Sequence, residues 1–417
     1  MTIKMLIKIS LFLLMLSIEC MSSPVVIDSQ KVVASDRQSG DRFGWSIDTN
    51  KNLFIAGAIF DDENGQYSGS AYIFEFTGDG WVETQKIQPE DGSFGDWFGS
   101  EVLIIDQNTI AVSADSKSQD KVEFVGAVYI FERTYGVWTQ THKLTPPGKP
   151  TLNSFGWAIS HSLDSLFIGA KENGDKAFRS GAVYVFNRVD SNWQYQTTLH
   201  ASDFSTFDFF GSNVQSNADT LIVSANYKDN SGSNQGAIYV FENSNNSWLE
   251  TQKIVPTDIK DNDYFGSSLD IQNNILFIGA RNPTNGEDPG SLYVFSKEGN
   301  NWIYKDEIHP SENIESDRFG QSLSYVNGIL AVETDQTELG GMVSFYECDN
   351  GNWNKFDSHL FSNDHLSRNY GSNVKMNSGN LILSDPLENG PNNGFYVGAA
   401  FIFKLDRIYK SQFDKCY

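Results

Sequence analysis

The sequence is poor in cysteine, with three cysteines among 417 residues. A chain of this length cannot depend on a framework of disulfide bonds for its stability. Cys348 and Cys416 are the two cysteines beyond the N-terminal region, and we predict that they form one disulfide that ties down the C-terminal tail. Asn245 begins an Asn-x-Ser glycosylation sequon, which is expected on the surface of an exported protein.

Positive charge is also scarce, because 30 lysines and arginines face 53 aspartates and glutamates, giving a net charge of −23. A surface with this excess repels the phosphates of nucleic acids and the headgroups of anionic membranes. Nucleic-acid binding and attachment to anionic membranes are therefore excluded as function classes. The charge is typical of a soluble extracellular or periplasmic protein.

Long apolar runs are absent beyond residue 18. The one such run, residues 9–18, follows Lys4 and Lys8 and is too short to span a bilayer comfortably. We predict that residues 1–22 are a signal peptide and that the protein is secreted or displayed on the cell surface. An uncleaved signal anchor is the alternative, and no other transmembrane segment is predicted.

One unit of about 55 residues recurs along the chain, and each copy opens on Phe-Gly or, in the last copy, Tyr-Gly. A step of small residues follows, as in 56–58, and then Gly-x-x-Tyr-x-Phe, as in Gly69, Tyr72 and Phe74. Most units close on a tryptophan, such as Trp81. The seven openings are Phe43-Gly44, Phe98-Gly99, Phe155-Gly156, Phe210-Gly211, Phe265-Gly266, Phe319-Gly320 and Tyr370-Gly371.

Within each unit, apolar residues alternate with period two, and Gly, Asn and Asp separate four such runs. This pattern predicts four antiparallel strands per unit. Four-stranded sheets repeated around an axis are the blades of a propeller. We predict an all-β, seven-bladed propeller over residues 25–405, followed by a tail at 406–417.

These motifs at this period resemble the FG-GAP repeat family, which includes the β-propeller of integrin α subunits. The resemblance covers about residues 28–403 and implies a propeller that binds a protein or a glycan. Repeats six and seven depart from the pattern, with Glu333 at the small step of repeat six and Asp385 at that of repeat seven.

Two segments compete to close the ring. Residues 30–36 copy the end of a unit but precede the first Phe-Gly, so they predict a strand that completes the seventh blade. Lys415 and Cys416 form a rival strand at the C-terminus, although the turn residues seen in other copies are missing before it. We favour closure by the N-terminal strand.

The calcium loops of the family have an Asp-x-Asp-x-Asp-Gly pattern between the first two strands. The corresponding segments here, such as 48–52, are short turns without that ligand series. We therefore predict no metal site and no cofactor. An Asp or Asn that lies two residues before most Phe-Gly steps, as Asp41 does, is interpreted as a turn residue that bonds its own backbone.

No catalytic motif was found. The six histidines are scattered, and His200 and His309 occupy the repeat position of Gln88, which indicates a structural role. We predict a binding or adhesion module that is not an enzyme. Two alternatives stay open: a carbohydrate-active propeller enzyme with carboxylates at its axis, and a structural surface protein.

The loops indicate where binding occurs. In an up-and-down blade, the connections between strands two and three and between strand four and the next blade share one face. These loops are long and varied, whereas the opposite turns are short, and recognition usually lies in variable loops on a rigid scaffold. The candidate ligand-binding residues are Asp61, Asp62, Glu63, Lys171, Glu172 and Arg281. The first three are expected to form an exposed acidic loop.

Overall fold

The computed structural model describes residues 26–245, 247–281, 290–310, 319–336, 340–360, 373–390 and 394–405. The predicted signal peptide at 1–22, the tail at 406–417 and Cys416 lie outside these residues. Cys348 is disulfide-bonded, and its partner is not among the described residues. Nowhere in the described part of the chain is there a helix long and apolar enough to cross a membrane.

The chain forms seven sheets of four antiparallel strands each, which confirms the predicted seven-bladed β-propeller. In blades 1 to 6 the strands pair in chain order. The strands of blades 1 to 3 are β2 (Phe43–Thr49), β3 (Leu53–Ala58), β4 (Ser70–Phe76), β5 (Trp81–Ile87), β6 (Val102–Asp106), β7 (Thr109–Ala114), β8 (Ala127–Thr134), β9 (Val137–Leu144), β10 (Phe155–Ser162), β11 (Ser165–Ala170), β12 (Ala182–Val189) and β13 (Asn192–Leu199).

Blades 4 to 7 repeat the arrangement, and blade 7 contains strands from both ends of the described chain. Their strands are β14 (Val214–Asn217), β15 (Thr220–Ala225), β16 (Ala237–Ser244), β17 (Ser247–Ile254), β18 (Phe265–Gln272), β19 (Ile275–Ala280), β20 (Ser291–Glu298), β21 (Asn301–Ile308), β22 (Leu323–Val326), β23 (Ile329–Gln336), β24 (Gly340–Asp349), β25 (Asn352–Leu360), β26 (Val374–Met376), β27 (Asn380–Asp385), β28 (Ala399–Leu405) and β1 (Val26–Val32).

The hydrophobic core is divided into seven clusters, each lying between two adjacent blades. One cluster joins Leu53 and Ile73 of blade 1 to Val112 and Trp138 of blade 2. Because both faces of every sheet are covered by a neighbour, the second and third strands read as almost continuous apolar runs. Every core cluster therefore needs two neighbouring blades, and all seven clusters form only in the complete ring.

The aromatic residues of the repeat explain how one blade is held together. Phe98 is fully buried and meets Tyr129 edge-on, with ring centroids 5.6 Å apart. Phe131 lies on its other side at 6.0 Å. Edge-to-face pairs at these separations add about 0.5–1.5 kcal/mol each beyond the area that they bury.

The N-terminal strand closes the ring, as expected. β1 pairs with β28 from Val26↔Leu405 to Val32↔Ala400. In β1, the Gln30 side chain accepts from the Trp81 amide and donates to its carbonyl, both at 2.8 Å. Gln85 makes the same two bonds with Trp138 one blade further on. β1 therefore has the position and the hydrogen bonds of the fourth strand in the other blades.

Candidate functional site

We call the side of the ring that carries the connections between strands two and three, and between strand four and the next blade, the loop face. Polar networks make this face rigid. The Tyr72 hydroxyl lies within hydrogen-bond distance of two carboxylates, 2.8 Å from Asp36 and 2.9 Å from Asp61, and its single proton is shared between them. Lys86 pairs with both carboxylates. The same tyrosine, aspartate and lysine recur as Tyr129, Asp91 and Lys143 and as Tyr239, Asp203 and Lys253.

The expectation that Asp61 is part of an exposed acidic loop is wrong. Asp61 is only 5% exposed, because its carboxylate is held by Tyr72 and Lys86 inside the polar network. Its repeat position is occupied by the buried Lys117 in blade 2 and by the buried Lys228 in blade 4. Asp62 and Glu63 are exposed, and Glu63 pairs with Lys86 at 2.7 Å.

The aspartates before Phe-Gly bond local backbone, as interpreted from the sequence. The carboxylate of Asp96 accepts from the Ser93 amide at 2.7 Å, and Asp263 accepts from Lys260 in the same way. Asp96 also pairs with Lys117 at 2.6 Å. The two histidines at the repeat position of Gln88 also make structural hydrogen bonds. His200 bonds to the Gly181 carbonyl, and His309 bonds to the Ser291 hydroxyl.

A cavity of about 840 Å³ runs along the axis of the propeller. It is lined by the first strands of all seven blades and by the loops beside them. Ligand pockets typically have volumes of about 300–1,000 Å³. The axial cavity is therefore large enough for a small ligand or for the end of a larger one.

Glu101 lies in the wall of the axial cavity. At the same repeat position, Ser46, Asn213 and Ser268 hydrogen-bond the backbone of the next blade. Among the described residues the Glu101 carboxylate has no such bond. Burial is the main cause that raises the pKa of Glu101 to about 7, and the charge of Lys375 only partly opposes this shift. No sequence motif singles out Glu101. Its carboxylate is unusual only when the same position is compared between repeats.

Other charges at the axis have structural partners. Asp48 accepts from the Ile104 amide at 2.7 Å and so links blade 1 to blade 2. Asp270 does the same with Tyr325 between blades 5 and 6. Burial alone would lower the pKa of Lys375, but the carboxylates of Asp48, Glu101 and Asp270 raise it above the ordinary value.

In five blades, the residue directly after the end of the second strand lines the cavity. These residues include Asp115, Lys171, Asn226 and Arg281, and all four line the cavity. Lys171 and Arg281, two of the residues predicted to bind a ligand, thus line the same cavity. Asn226 comes from blade 4, which lies between their blades 3 and 5. Glu172 also lines it and pairs with Arg179 at 3.3 Å.

Exposed aromatic side chains are concentrated on the loop face and at the cavity mouth. Of the fifteen exposed aromatics among the described residues, eleven lie there: Trp45, Tyr67, Phe94, Phe124, Trp157, Phe178, Phe204, Phe207, Tyr227, Phe395 and Tyr396. The other four, Phe76, Tyr135, Tyr195 and Tyr304, lie at the opposite turns or on outer strands. Grouped exposed apolar side chains are a common feature of binding surfaces.

Several aromatic rings of the loop face, both exposed and half-buried, already carry a cation from the chain itself. Arg42 lies 4.5 Å from the centroid of Phe60 and 5.6 Å from that of Trp45. Lys171 lies over Trp157, and Arg281 is 5.8 Å from the centroid of Tyr264. A cationic ligand would meet these charges, so the rings are better suited to a neutral or anionic partner.

Two further predicted features are placed as follows. Asn245 is exposed at the turn between β16 and β17, on the side opposite the loop face. In the described part of the chain there is no group of three or more His, Cys, Asp or Glu residues that could hold a metal ion.

Comparison with known proteins gives one family. The family model of the FG-GAP repeat matches residues 27–74, 81–131, 138–186, 193–241 and 248–295. These five segments cover more than half of the chain, and each runs from the fourth strand of one blade to the third strand of the next. No curated protein matches the sequence.

Solved structures share the architecture at very low identity. A protein assigned as a 6-phosphogluconolactonase from Bacteroides uniformis is 8% identical, with a TM-score of 0.54, over 76% of this chain and 86% of that one. A chain of the mitotic checkpoint complex is 10% identical, with a TM-score of 0.56, over 92% of this chain and 96% of that one. At such identity the likeness concerns the propeller fold alone.

Proposed function

Because the chain belongs to the FG-GAP repeat family, we propose that it is an exported recognition module which binds glycans on its loop face. The observation that carries this proposal is the concentration of exposed aromatic rings on the loop face. Three of them, Trp45, Trp157 and Tyr227, also line the axial cavity. Aromatic rings stack on the C–H faces of sugars, and nearby polar side chains bond the hydroxyl groups. The rigid networks beneath the loops keep these groups in place without a ligand, which lowers the entropic cost of binding.

We also propose that the protein acts outside the cell and that it acts by binding alone. The predicted signal peptide delivers the protein outside the cell, where glycans are abundant and a disulfide at Cys348 is stable. Binding needs no chemical step, so the protein acts as an adhesion or capture module.

A glycan array probed with the full-length chain tests this proposal. Trp157→Ala removes a ring that is 40% exposed at the cavity mouth, and Tyr135→Ala removes one that is fully exposed on the opposite face. We expect Trp157→Ala to reduce binding at least tenfold and Tyr135→Ala to leave it unchanged. The proposal fails if no glycan is retained, or if the two variants bind alike.

One observation favours a second candidate, a carbohydrate-active enzyme. Burial raises the pKa of Glu101 to about 7, which suits a general acid near neutral pH. Incubation of the glycans retained on the array, followed by measurement of new reducing ends or unsaturated products, separates the two candidates. Turnover that is lost in Glu101→Gln favours the enzyme, and unaltered glycans favour the binding module.

A further inference from the structure

The two walls of the axial cavity differ in charge. Blades 1 and 2 contribute the carboxylates of Asp48, Glu101 and Asp115, and Lys375 of blade 7 interacts with the first two. Blades 3 and 5 contribute Lys171 and Arg281, together with Glu172, which is paired with Arg179. Neither Lys171 nor Arg281 forms an ion pair within the described residues. The second wall therefore presents two cations of the chain that are free to meet an anionic group.

Among the residues that the structure describes, four buried polar atoms along the same cavity have no hydrogen-bond partner. They are Asn226 Oδ1, Ser267 Oγ, Gln321 Oε1 and Arg281 Nε, and all four residues line the cavity. Asn226 is only 9% exposed. An unmet buried donor or acceptor costs about 1–3 kcal/mol. These atoms have almost no accessible surface in the free protein, so a ligand satisfies them only when their side chains turn toward the cavity.

The unmet atoms define the ligand. Two amide oxygens, one hydroxyl and the Glu101 carboxylate need several hydroxyl donors. Arg281 Nε and the Lys171 ammonium need an anionic acceptor. The indole ring of Trp45, which is 37% exposed, offers an apolar face at the mouth. Trp157 is 40% exposed, although Lys171 occupies one of its faces. One class of small molecule combines an anionic group, several hydroxyls and an apolar ring face.

We propose that the residues Lys171, Asn226 and Arg281, which we call the basic arc, bind a carboxylated pyranose sugar. Its carboxylate meets Lys171 and Arg281, and its hydroxyls meet Asn226, Gln321 and Glu101. This inference rests on the proposed glycan binding and names the class of sugar. The sugar is either a free uronic acid or the terminal residue of an acidic glycan.

Lys171 makes the binding dependent on pH. Burial lowers its pKa to about 8; Asp115 and Glu172 oppose the shift, and Arg179 adds to it. The ring of Trp157 covers the ammonium group. Since a neutral amine cannot pair with a carboxylate, affinity for the acidic sugar falls as the pH rises through about 8. Arginine at this position stays charged and keeps the affinity.

Calorimetric titration with methyl glucuronide and methyl galacturonide, each matched to its neutral glycoside, tests the proposal. We expect the acidic sugars to bind at least tenfold more tightly at pH 7 and to lose at least fivefold between pH 7 and pH 9.5. In Lys171→Arg that loss disappears, and Arg281→Gln weakens binding at least tenfold at every pH. Lys176→Gln, an exposed change of the same charge in the same loop, leaves binding unaltered.

Three results would overturn the inference. In the first, neutral glycosides bind as tightly as acidic ones, which leaves the proposed glycan binding intact. In the second, acetate or sulfate alone binds as tightly as the uronides, so that no sugar is recognised. In the third, Arg281→Gln melts at the wild-type temperature and still binds the uronides normally. An array that retains no glycan at all counts against the proposed function itself. Separate titrations with free uronides and with uronate-ended oligosaccharides show whether the ligand is a free sugar acid or the end of an acidic glycan.

Discussion

Gly57 of blade 1 lies against the main-chain carbonyl oxygen of Gly99 in blade 2, and a β-carbon on Gly57 would be 2.0 Å from that oxygen. Gly169 and Gly279 meet Gly211 and Gly320 in the same way. The small step of one repeat is therefore a docking point for the Phe-Gly of the next. The two most visible motifs of the sequence meet across the junctions between blades.

We predict that Gly57→Ala destabilises the protein by about 3 kcal/mol or more, because the added methyl group meets immobile backbone. Ser113 occupies the same repeat position in blade 2, where its hydroxyl bonds the Glu101 amide at 2.8 Å. Ser113→Ala is the matched control and should cost about 1 kcal/mol. Chemical denaturation of both variants checks this, and equal midpoints would contradict it.

Closure by β1 leads to a second prediction. Removing residues 26–32 leaves one edge of β28 unpaired and uncovers the cluster between blades 7 and 1. We expect a large loss in melting temperature, partly restored by a synthetic peptide of residues 26–34. Val32→Asp, which buries a charge at a side chain that is 4% exposed, should cost more than about 3 kcal/mol. A full-length chain that tolerates this change would argue against closure by β1.

The loop networks predict a rescue. Lys228 pairs with Asp208 at 2.9 Å, and their side chains are 5% and 3% exposed. In blade 3 the same two positions are Asn173 and Asn153, which share hydrogen bonds with Tyr184. Lys228→Asn alone should cost about 3 kcal/mol, because it leaves a buried carboxylate unpaired.

Adding Asp208→Asn to Lys228→Asn should restore at least half of that loss, since blade 4 then has the polar pair of blade 3. A double-mutant cycle of unfolding free energies measures this coupling. Strictly additive losses would show that the two positions do not act as a pair.

Asp41 predicts a dependence of stability on pH. Burial raises its pKa to about 6, and the carboxylates of Asp61 and Asp62 add to the shift. A group with a raised pKa in the folded state stabilises the fold below its unfolded pKa, near 4, and that contribution is lost as the pH rises through about 6. Asp41→Asn stays neutral and avoids this loss.

We therefore expect Asp41→Asn and the wild type to have similar stability at pH 4. Above pH 7 the variant should be more stable, by on the order of 1–3 kcal/mol. Thermal melts at pH 4, 5, 6, 7 and 8 give the difference at each step. A difference that does not change with pH would contradict the assignment.

Periodicity was enough to predict the fold, because each repeat contains its own strands, turns and aromatic core residues. The copy of a closing strand at residues 30–36 even indicated which end completes the ring. The site was harder to predict. Asp61 looked like a loop carboxylate, since only the folded chain brings Tyr72 and Lys86 to it.

Glu101 and Asn226 were missed for a related reason. Each lies in a different repeat, and they share a cavity only because the ring places the first strands of all blades around one axis. A comparison of equivalent positions between repeats would have found them, since Glu101 stands where other blades have small or amide side chains. Lys171 and Arg281 were selected from the loops, but their common opening follows from the closed ring.

Hydrogen exchange in the presence of a glycan retained on the array shows directly which face of the propeller binds it. We expect slower exchange in the loops of the loop face, at residues 59–69, 115–126, 171–181 and 226–236. The turns at 50–52, 78–80, 134–137 and 190–192 should exchange as in the free protein. Protection confined to those opposite turns would show that recognition lies on the other face of the propeller.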